Sequence, residues 1–226
     1  MTFKVASVDS LVVYFGNEIS EEIASYVQKA YLSLKNLNIE GIIEIIPSYT
    51  SIYISYDIFK YDYSSLCKVL ENSINLDYED NSEKNIINID VYYGKEVGLD
   101  LNDMSIKKNL SIEEIIEIHS KKLYDVYAIG FAPGFAFLAS VDYRIALPRL
   151  SSPRKSVPKG SVAIADSQTA VYPQSSPGGW NIIGRTAREL FDKSLEKLSP
   201  LSVGDKVKFN AITKEEFLSQ GGIIWV

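Results

Sequence analysis

The distribution of proline constrains this chain more than any other feature of its sequence. Seven of the eight prolines lie after residue 132, within a region of short apolar segments and turn signals every 8 to 15 residues. Proline lacks a backbone N–H and interrupts both helices and central strands, so long helices are excluded from most of the second half. Short strands joined by tight turns are typical of an antiparallel barrel or sandwich.

The first half instead alternates strands with amphipathic helices. The opening residues through Gly16 predict a strand, and Ser20 predicts the N-cap of a helix with two glutamates in its first turn. Two strands, a second helix and a third strand-like segment follow. This order predicts an α+β N-terminal domain, ferredoxin-like βαββαβ, over residues 1–93, and leaves residues 94–226 for a mainly antiparallel β-barrel.

Composition excludes several classes of protein. The chain has 226 residues, of which 46% are hydrophobic, and no apolar run approaches the length of a membrane span. The first residues lack the apolar segment of a secretory signal, so we expect a cytoplasmic protein. The single cysteine, Cys67, excludes an internal disulfide or a cysteine-based zinc cluster, and no protein-bound metal is predicted.

Charge is distributed unevenly along the chain. Residues 1–143 carry a formal charge of −11, whereas residues 144–214 carry +7. This asymmetry predicts an anionic ligand or partner for the second half, although solvated lysines without a partner give the same pattern. Nucleic acid is the weakest candidate, because few aromatic residues lie among the lysines and no nucleic-acid-binding motif is present.

The first candidate cluster is the segment IGFAPGFAFL. Pro133 and Gly134 suit the two central positions of a type II turn, since proline fixes φ at the first and glycine permits a positive φ at the second. Phe131, Phe135 and Phe137 flank this turn. The pattern fits either a ligand wall or a hairpin packed by aromatic rings.

The second cluster is the proline-rich segment LPRLSSPRKSVPKGSV. Arg149 and Arg154 each follow a proline, and Lys155 and Lys159 come shortly after. Proline stiffens the segment, and arginine can hold a carboxylate or phosphate through two hydrogen bonds. The segment predicts either an anion or interface site or a clamp that pairs with acidic residues of the first domain.

The third cluster is the segment DSQTAVYPQSSPGGWNIIGRT. Gln168 and Tyr172 are an even number of residues apart, so a strand would place them on the same face. Pro177–Gly178 suits a second type II turn, and Gly179 leaves bare backbone beside Trp180. We expect Trp180 either to plug the barrel core or to line its open face.

His119 is the only histidine and lies near the end of a helix that a capping box begins. A lone histidine fits a surface or satisfied core position as well as a proton-transfer role. The chain has no phosphate-binding glycine motif, dinucleotide fingerprint or nucleophile elbow. Catalysis by this chain would therefore depend on orientation, anion stabilisation and a partner's groups.

Taken in order, the three clusters resemble the KipI family, also described as allophanate hydrolase subunit 1, which includes the B-type subunit of the prokaryotic 5-oxoprolinase. The resemblance extends over Ser111–Leu190 and rests on the segments YAIGFAPGFAFL, LPRLSSPRKSVPKGSVAIADSQTAVYP and SPGGWNIIGRT. It implies that the barrel is cyclophilin-like. It also implies a partner, the C-type subunit, which is a protein of the allophanate hydrolase subunit 2 or KipA type.

The resemblance further implies ATP as a substrate, with magnesium as part of the nucleotide complex. At the motif positions we expect two catalytic residues: His119, for proton transfer, and Arg154, which with Arg149 would hold a phosphate or carboxylate. Gln168 would contact the lactam amide. The expected substrate- and nucleotide-binding residues are Arg149, Gln168, Tyr172, Gly178, Gly179, Trp180 and Arg185.

This chain departs from the family pattern at one turn. The family often has Gly-Gly-Gln-Thr-Gly where this chain has Asp166, Ser167, Gln168, Thr169 and Ala170. A ligand that approached the glycine backbone closely would therefore fit differently here.

Three functions follow from the resemblance. The leading hypothesis is a component of an ATP-dependent 5-oxoprolinase that acts only with its partner. The alternative is an inhibitor that binds a sporulation sensor histidine kinase and blocks its autophosphorylation. Hydrolysis of allophanate has less support, because this chain lacks the amidase or carboxylase domain that such chemistry requires.

Overall fold

A computed structural model describes residues 1–79, 85–194 and 197–224. Internal contacts divide the chain into two units, Met1–Glu83 and Lys84–Val226. None of the helices in the described ranges combines the length and apolar character needed to cross a bilayer.

The first unit has four strands and two helices. In chain order they are β1 (Thr2–Ser7), β2 (Ser10–Tyr14), α1 (Glu21–Leu37), β3 (Ile42–Pro47), β4 (Ser51–Tyr56) and α2 (Tyr63–Ser73). The sheet order is β1-β2-β4-β3, and every pair is antiparallel. Apolar residues of α1 and α2 pack on β2 and β4 in one core that includes Leu11, Leu34, Ile54 and Leu66.

The predicted ferredoxin-like order is not found in this unit. The split βαβ arrangement is present, because β4 lies between β2 and β3. The outer position beside β2, however, belongs to β1 rather than to a strand after α2. The opening segment forms two strands instead of one, and the hydroxyl of Ser7 lies 2.6 Å from that of Ser10 across the turn.

The second unit contains the remaining elements. They are β5 (Ile86–Tyr92), α3 (Leu101–Lys108), α4 (Ile112–Lys121), β6 (Leu123–Ile129), β7 (Ala136–Ala139), β8 (Arg154–Val157), β9 (Ser161–Ala165), β10 (Gln168–Val171), β11 (Ser176–Gly178), β12 (Asn181–Arg185), β13 (Lys206–Ile212) and α5 (Lys214–Ser219). Seven strands form a closed barrel in the order β10-β7-β6-β13-β5-β12-β9. Strands β8 and β11 form a separate two-stranded ribbon.

The barrel confirms the predicted β-rich second half but moves the boundary between the domains. Strand β5 pairs in parallel with β13 along its whole length and meets β12 at Arg185. It therefore belongs to the second unit, whereas the sequence pattern placed it in residues 1–93. An alternating apolar strand fits either sheet, so its sequence does not decide which one it joins. The cyclophilin-like character of the barrel stays a prediction.

Strands β9 and β12 are buried on both faces. Val162 and Ile164 point into the main barrel core, while the alternate residues Ala163 and Ala165 point to the other side of the barrel wall. A second cluster, here called the outer core, covers that side. Its buried members are Phe135, Val157, Ala163, Ala165, Ala170, Tyr172, Trp180 and Ile182.

The two predicted type II turns have different outcomes. The backbone N–H of Phe135 donates to the carbonyl of Ala132 at 3.0 Å, and Gly134 has φ +79°, as a type II turn requires. This turn is confirmed. The second prediction is wrong, because Ser176–Gly178 is a strand of the ribbon that pairs with β8.

We predict that Gly134→Ala destabilises the second unit by about 2 kcal/mol, because the site has positive φ and a methyl group there would lie too close to backbone. An added Cβ at Gly134 would lie 2.3 Å from the carbonyl oxygen of Leu190. Gly130→Ala is the matched control, since an added Cβ there meets nothing within 4 Å. Urea denaturation measures both, and equal midpoints for the two variants would contradict the prediction.

Candidate functional site

Trp180 lies outside the barrel wall rather than in the barrel interior or on an open face. Its side chain is 5% exposed and belongs to the outer core. The ring centroids of Phe135 and Phe137 lie 5.8 and 6.0 Å from that of Trp180. The expectation that a ligand contacts Trp180 directly is therefore corrected: the residue is a buried packing element, and only neighbouring groups reach the surface.

Arg149 is the exposed cation above this ring. Its guanidinium carbon lies 5.9 Å from the ring centroid of Trp180, which fits a cation–π contact worth about 0.5–1 kcal/mol at an exposed site. No carboxylate of the described residues forms a salt bridge with Arg149, whereas Arg144 and Arg154 each have one. Arg149 thus combines a fixed position with an uncompensated charge.

Arg154 is held by a buried carboxylate. Its Nη2 donates to Oδ1 of Asp100 at 2.6 Å, and Oδ2 of Asp100 accepts from the backbone N–H of Ile182 at 2.7 Å. The backbone of Asp100 also donates to the carbonyl of Ile182 at 2.9 Å. Asp100 is 5% exposed, so one carboxylate connects the start of α3, the start of β12 and the ribbon.

One nitrogen of Arg154 has no partner. Its Nη1 is buried and makes no hydrogen bond within the described parts of the chain. A buried N–H without an acceptor costs about 1–3 kcal/mol, a cost that a ligand oxygen or an ordered water would remove. Arg154 is thus a salt-bridged residue with one donor to spare, rather than a free anion-binding group.

Further bonds fix the segment that carries both arginines, residues 148–154, here called the arginine loop. The side-chain amide of Asn181 donates to the carbonyls of Pro148 and Ile164, at 2.9 and 3.1 Å. The backbone N–H of Leu150 donates to the carbonyl of Gly179 at 2.7 Å. The loop therefore approaches the outer core with Arg149 in a defined place.

Tyr172 and Gly178 meet beneath this loop. An added Cβ at Gly178 would lie 2.3 Å from the Tyr172 hydroxyl oxygen, so a larger residue there would require the buried Tyr172 ring to move, while Gly179 has ordinary space. Burial raises the pKa of Tyr172, and the charges of Arg149 and Arg154 partly oppose that rise. The hydroxyl therefore stays protonated at neutral pH, close to both arginines.

Gln168 lies on the same outer face as Tyr172, as its spacing predicted. Thr169 and Val171 point into the barrel, whereas Ala170 and Tyr172 belong to the outer core. By strand alternation Gln168 lies on the same side as Ala170 and Tyr172, and it is half-buried.

The turn before β10 explains why this chain departs from the family pattern. Asp166 has φ +51°, a left-handed conformation that aspartate tolerates as glycine does.

His119 is a core residue of the barrel. Its Nε2 lies 2.9 Å from the hydroxyl of Thr169, which itself donates to the carbonyl of Ala163, so Nε2 carries the proton. Its Nδ1 then accepts from the Tyr93 hydroxyl at 2.7 Å. The ring is fully buried and stacks on Phe209, and burial lowers its pKa to about 3.

These bonds leave His119 no ring nitrogen for a ligand. The proton-transfer role suggested by the sequence is therefore replaced by a structural one.

Arg185 is likewise enclosed. Its Nε donates to the carbonyl of Lys159 at 2.9 Å and its Nη1 to the carbonyl of Ile223 at 2.7 Å. Burial lowers its pKa. These bonds tie the end of β12 to two other chain segments, which is a structural role rather than the ligand contact expected from the motif.

The structure thus sorts the sequence-predicted residues into two groups. One group shares the outer face of the barrel wall with the arginine loop: Arg149, Arg154, Gln168, Tyr172, Gly178, Gly179 and Trp180. His119 and Arg185 stand apart from it. The accessible part of the first group offers the guanidinium of Arg149 and the half-buried amide of Gln168, which suit a small anion with an amide group.

Sequence reasoning missed Asp100 and Asn181, which organise this region. Asp100 lies just before α3, and nothing in the neighbouring sequence signals a partner 54 residues away. Asn181 adjoins Trp180 in the third cluster, but an asparagine in a strand gives no sign that it bridges two other segments.

A groove of about 410 Å³ lies elsewhere on the second unit. Leu110, Glu117, Ile118, Lys121, Asp142 and Arg144 are among the residues that line it. The predicted site residues are not among its lining residues. No group of histidine, cysteine and carboxylate side chains that could hold a metal occurs within the described ranges.

Comparison with known proteins shows the family. The model of the carboxyltransferase domain, subdomain C and D, matches residues 1–201. The B-type 5-oxoprolinase subunit of Bacillus subtilis is 40% identical over 221 residues, which are 92% of this chain and 91% of that protein. These matches confirm the resemblance to the family that includes this 5-oxoprolinase component.

Two solved structures are similar in fold. The protein TTHA0988 is 33% identical with a TM-score of 0.81 over 90% of this chain, and this chain spans only 40% of its length. The urea carboxylase of Kluyveromyces lactis is 16% identical with a TM-score of 0.75 over 96% of this chain and 22% of that one. At such low identity the second likeness shows the fold alone.

We predict that Asp100→Ala destabilises the protein by about 2–4 kcal/mol, because it leaves the Arg154 cation partly buried and unpaired and removes the acceptor of the Ile182 N–H. The exposed residue Asp103, on the same helix, provides the control: Asp103→Ala changes stability by less than about 0.5 kcal/mol. Chemical denaturation compares the two variants, and similar losses in both would refute the role assigned to Asp100.

The single histidine permits a direct pH test. Because the folded pKa of His119 is about 3 and its ordinary value 6.5, the folded state resists protonation. The neutral, buried ring makes its full contribution to the free energy of unfolding above pH 6.5. Between pH 6.5 and about 3 that contribution decreases by about 1.4 kcal/mol for each unit by which the pH falls. The imidazole NMR signals should stay constant from about pH 7.5 to about 5. A titration midpoint near the ordinary value would contradict the buried, doubly bonded ring.

Proposed function

The chain belongs to the carboxyltransferase subdomain C and D family, and we propose that it is the B-type subunit of an ATP-dependent 5-oxoprolinase, which opens 5-oxoproline to glutamate. One observation carries the proposal: the 40% identity with the Bacillus subtilis protein extends over nearly all of both chains. The name of that relative also implies other subunits. We propose the C-type subunit, of the KipA kind, as the partner and the cytoplasm as the location.

The chemistry of a lactam explains why such a protein needs no nucleophile of its own. A lactam carbonyl is a poor electrophile, so activation by phosphorylation supplies what a serine or metal supplies elsewhere. The carbonyl oxygen takes the γ-phosphoryl group and ADP departs; water adds to the carbon and the C–N bond breaks, with the nitrogen taking a proton. A second water then releases phosphate and glutamate.

The outer face of the barrel wall fits the binding part of this task. Arg149 is exposed, has no salt-bridge partner within the described residues and is positioned over Trp180, so it suits the carboxylate of 5-oxoproline or a phosphate. Gln168 offers both a donor and an acceptor to the lactam amide. Arg154 supports this arrangement through Asp100 and keeps one donor unpaired.

The alternative functions have less support. Inhibition of a sensor histidine kinase stays a prediction, and a kinase autophosphorylation assay with added protein would test it. Allophanate or urea chemistry gains no support from the urea carboxylase structure, because that likeness, at 16% identity, shows the fold alone. The identity and coverage of the Bacillus subtilis relative favour the 5-oxoprolinase over both.

We predict that Arg149→Ala raises the KM of the co-purified complex for 5-oxoproline or ATP by about 100-fold, because it removes a charge-assisted contact, and that Arg149→Lys restores part of the loss. The assay is 5-oxoproline-dependent ATP hydrolysis by this chain co-expressed with the proposed partner. Lys155→Ala, a neighbouring exposed cation, is the control. An unchanged KM in Arg149→Ala would remove Arg149 from the site, and an inactive wild-type complex would refute the proposed function.

A further inference from the structure

Phe131 has a backbone conformation that is costly for its residue type. Its φ is +72°, in the left-handed region. The other non-glycine residues with positive φ in the described ranges are Asn38, Asn109 and Asp166, all of types that tolerate this region. A bulky aromatic residue gains no such relief, so the fold bears a free-energy cost at Phe131.

Packing does not explain why a phenylalanine occupies this position. Phe131 is 68% exposed. Its ring makes an edge contact with the ring of Phe135, with 5.2 Å between the two ring centroids. Glycine would adopt the same φ without strain. The loop already uses glycine at Gly134, where positive φ is needed. The ring at Phe131 therefore points to a purpose outside the folding of the chain.

The position of Phe131 connects it to the proposed ligand surface. Phe135 packs against both Phe131 and Trp180, at 5.2 and 5.8 Å between ring centroids. Arg149 lies over the ring of Trp180. An exposed apolar ring and an exposed guanidinium, from two different loops, thus both adjoin the same buried pair of rings.

We propose that Phe131 contacts the ligand and sets specificity: its ring covers the apolar methylene side of a small cyclic amide whose carboxylate Arg149 holds. This inference rests on the proposed function, since 5-oxoproline is the ligand in question. An apolar ring and a cation that adjoin the same buried pair of rings suit a compact anion with one hydrocarbon face. Glutamate, which is open-chain and carries additional charge, fits this surface less well.

The variant Phe131→Gly distinguishes a ligand contact from a folding role. It removes the ring and also relieves the backbone strain, so a loss of ligand binding would not result from a weaker fold. We expect its urea denaturation midpoint to equal or exceed that of the wild type. In the co-purified complex we expect the KM for 5-oxoproline to rise by about tenfold or more with kcat within about twofold. Phe131→Tyr keeps the ring and should stay within about threefold of the wild-type KM. Phe59→Ala, which removes a 94% exposed phenylalanine from the first unit, should change neither quantity.

Three results would overturn the inference while the proposed function stands. The first is an unchanged KM in Phe131→Gly with an active wild-type complex. The second is a clearly lower denaturation midpoint, which would make the ring a folding element. The third is weaker co-purification of the partner with a normal KM in the complex that remains, which would make the ring a contact between the two proteins.

An inactive wild-type complex would instead refute the proposed function. Calorimetric titration of the same complexes with 5-oxoproline then decides the role of Phe131. Binding that is about tenfold weaker in Phe131→Gly than in the wild type supports it, and no binding by the wild type overturns it.

Discussion

The carboxylate of Asp100 is the interaction on which the arrangement of the second unit's outer face depends. Its two oxygens bind Arg154 and the backbone N–H of Ile182, and its own backbone N–H returns to the Ile182 carbonyl. A buried carboxylate is stable only when it is paired in this way, so the ribbon strand, the start of β12 and the start of α3 must occupy one mutual geometry. Arg149 lies five residues before Arg154 in the arginine loop, which this geometry holds in place. The buried ion pair therefore helps to fix the position of Arg149 at the surface.

Local patterns predicted local structure, and long-range partners remained hidden. The Ala132–Phe135 turn followed from its proline and glycine, and the shared face of Gln168 and Tyr172 followed from strand alternation. The strand Ile86–Tyr92 was assigned to the wrong unit, because an alternating apolar segment specifies a strand but not its neighbours. Trp180 shows the same limit: its sequence offered the inside of a barrel or an open face, and the structure uses the covered outer side of the wall.

The candidate site was predictable in composition but not in roles. The sequence identified both arginines as candidates, but only the structure distinguishes the exposed Arg149 from the salt-bridged Arg154. His119 attracted a catalytic interpretation as the only histidine, and its burial with two bonded nitrogens assigns it to the core. Phe131 lies in a segment whose sequence fitted either a ligand wall or a hairpin packed by aromatic rings, and its exposed ring on a strained backbone supports the proposed ligand contact. Charge, burial and backbone conformation therefore decide roles that residue identity leaves open.

The proposed ligand site lies on the outer face of the barrel wall, beside the arginine loop. Methyl NMR of the complex, with alanine, isoleucine and leucine labelled in this chain, locates the site when 5-oxoproline is added. We expect shifts at Ala132 and Leu150, the methyl-bearing residues next to Phe131 and Arg149. Shifts confined to Leu110 and Ile118, which line the separate groove on the second unit, would contradict it.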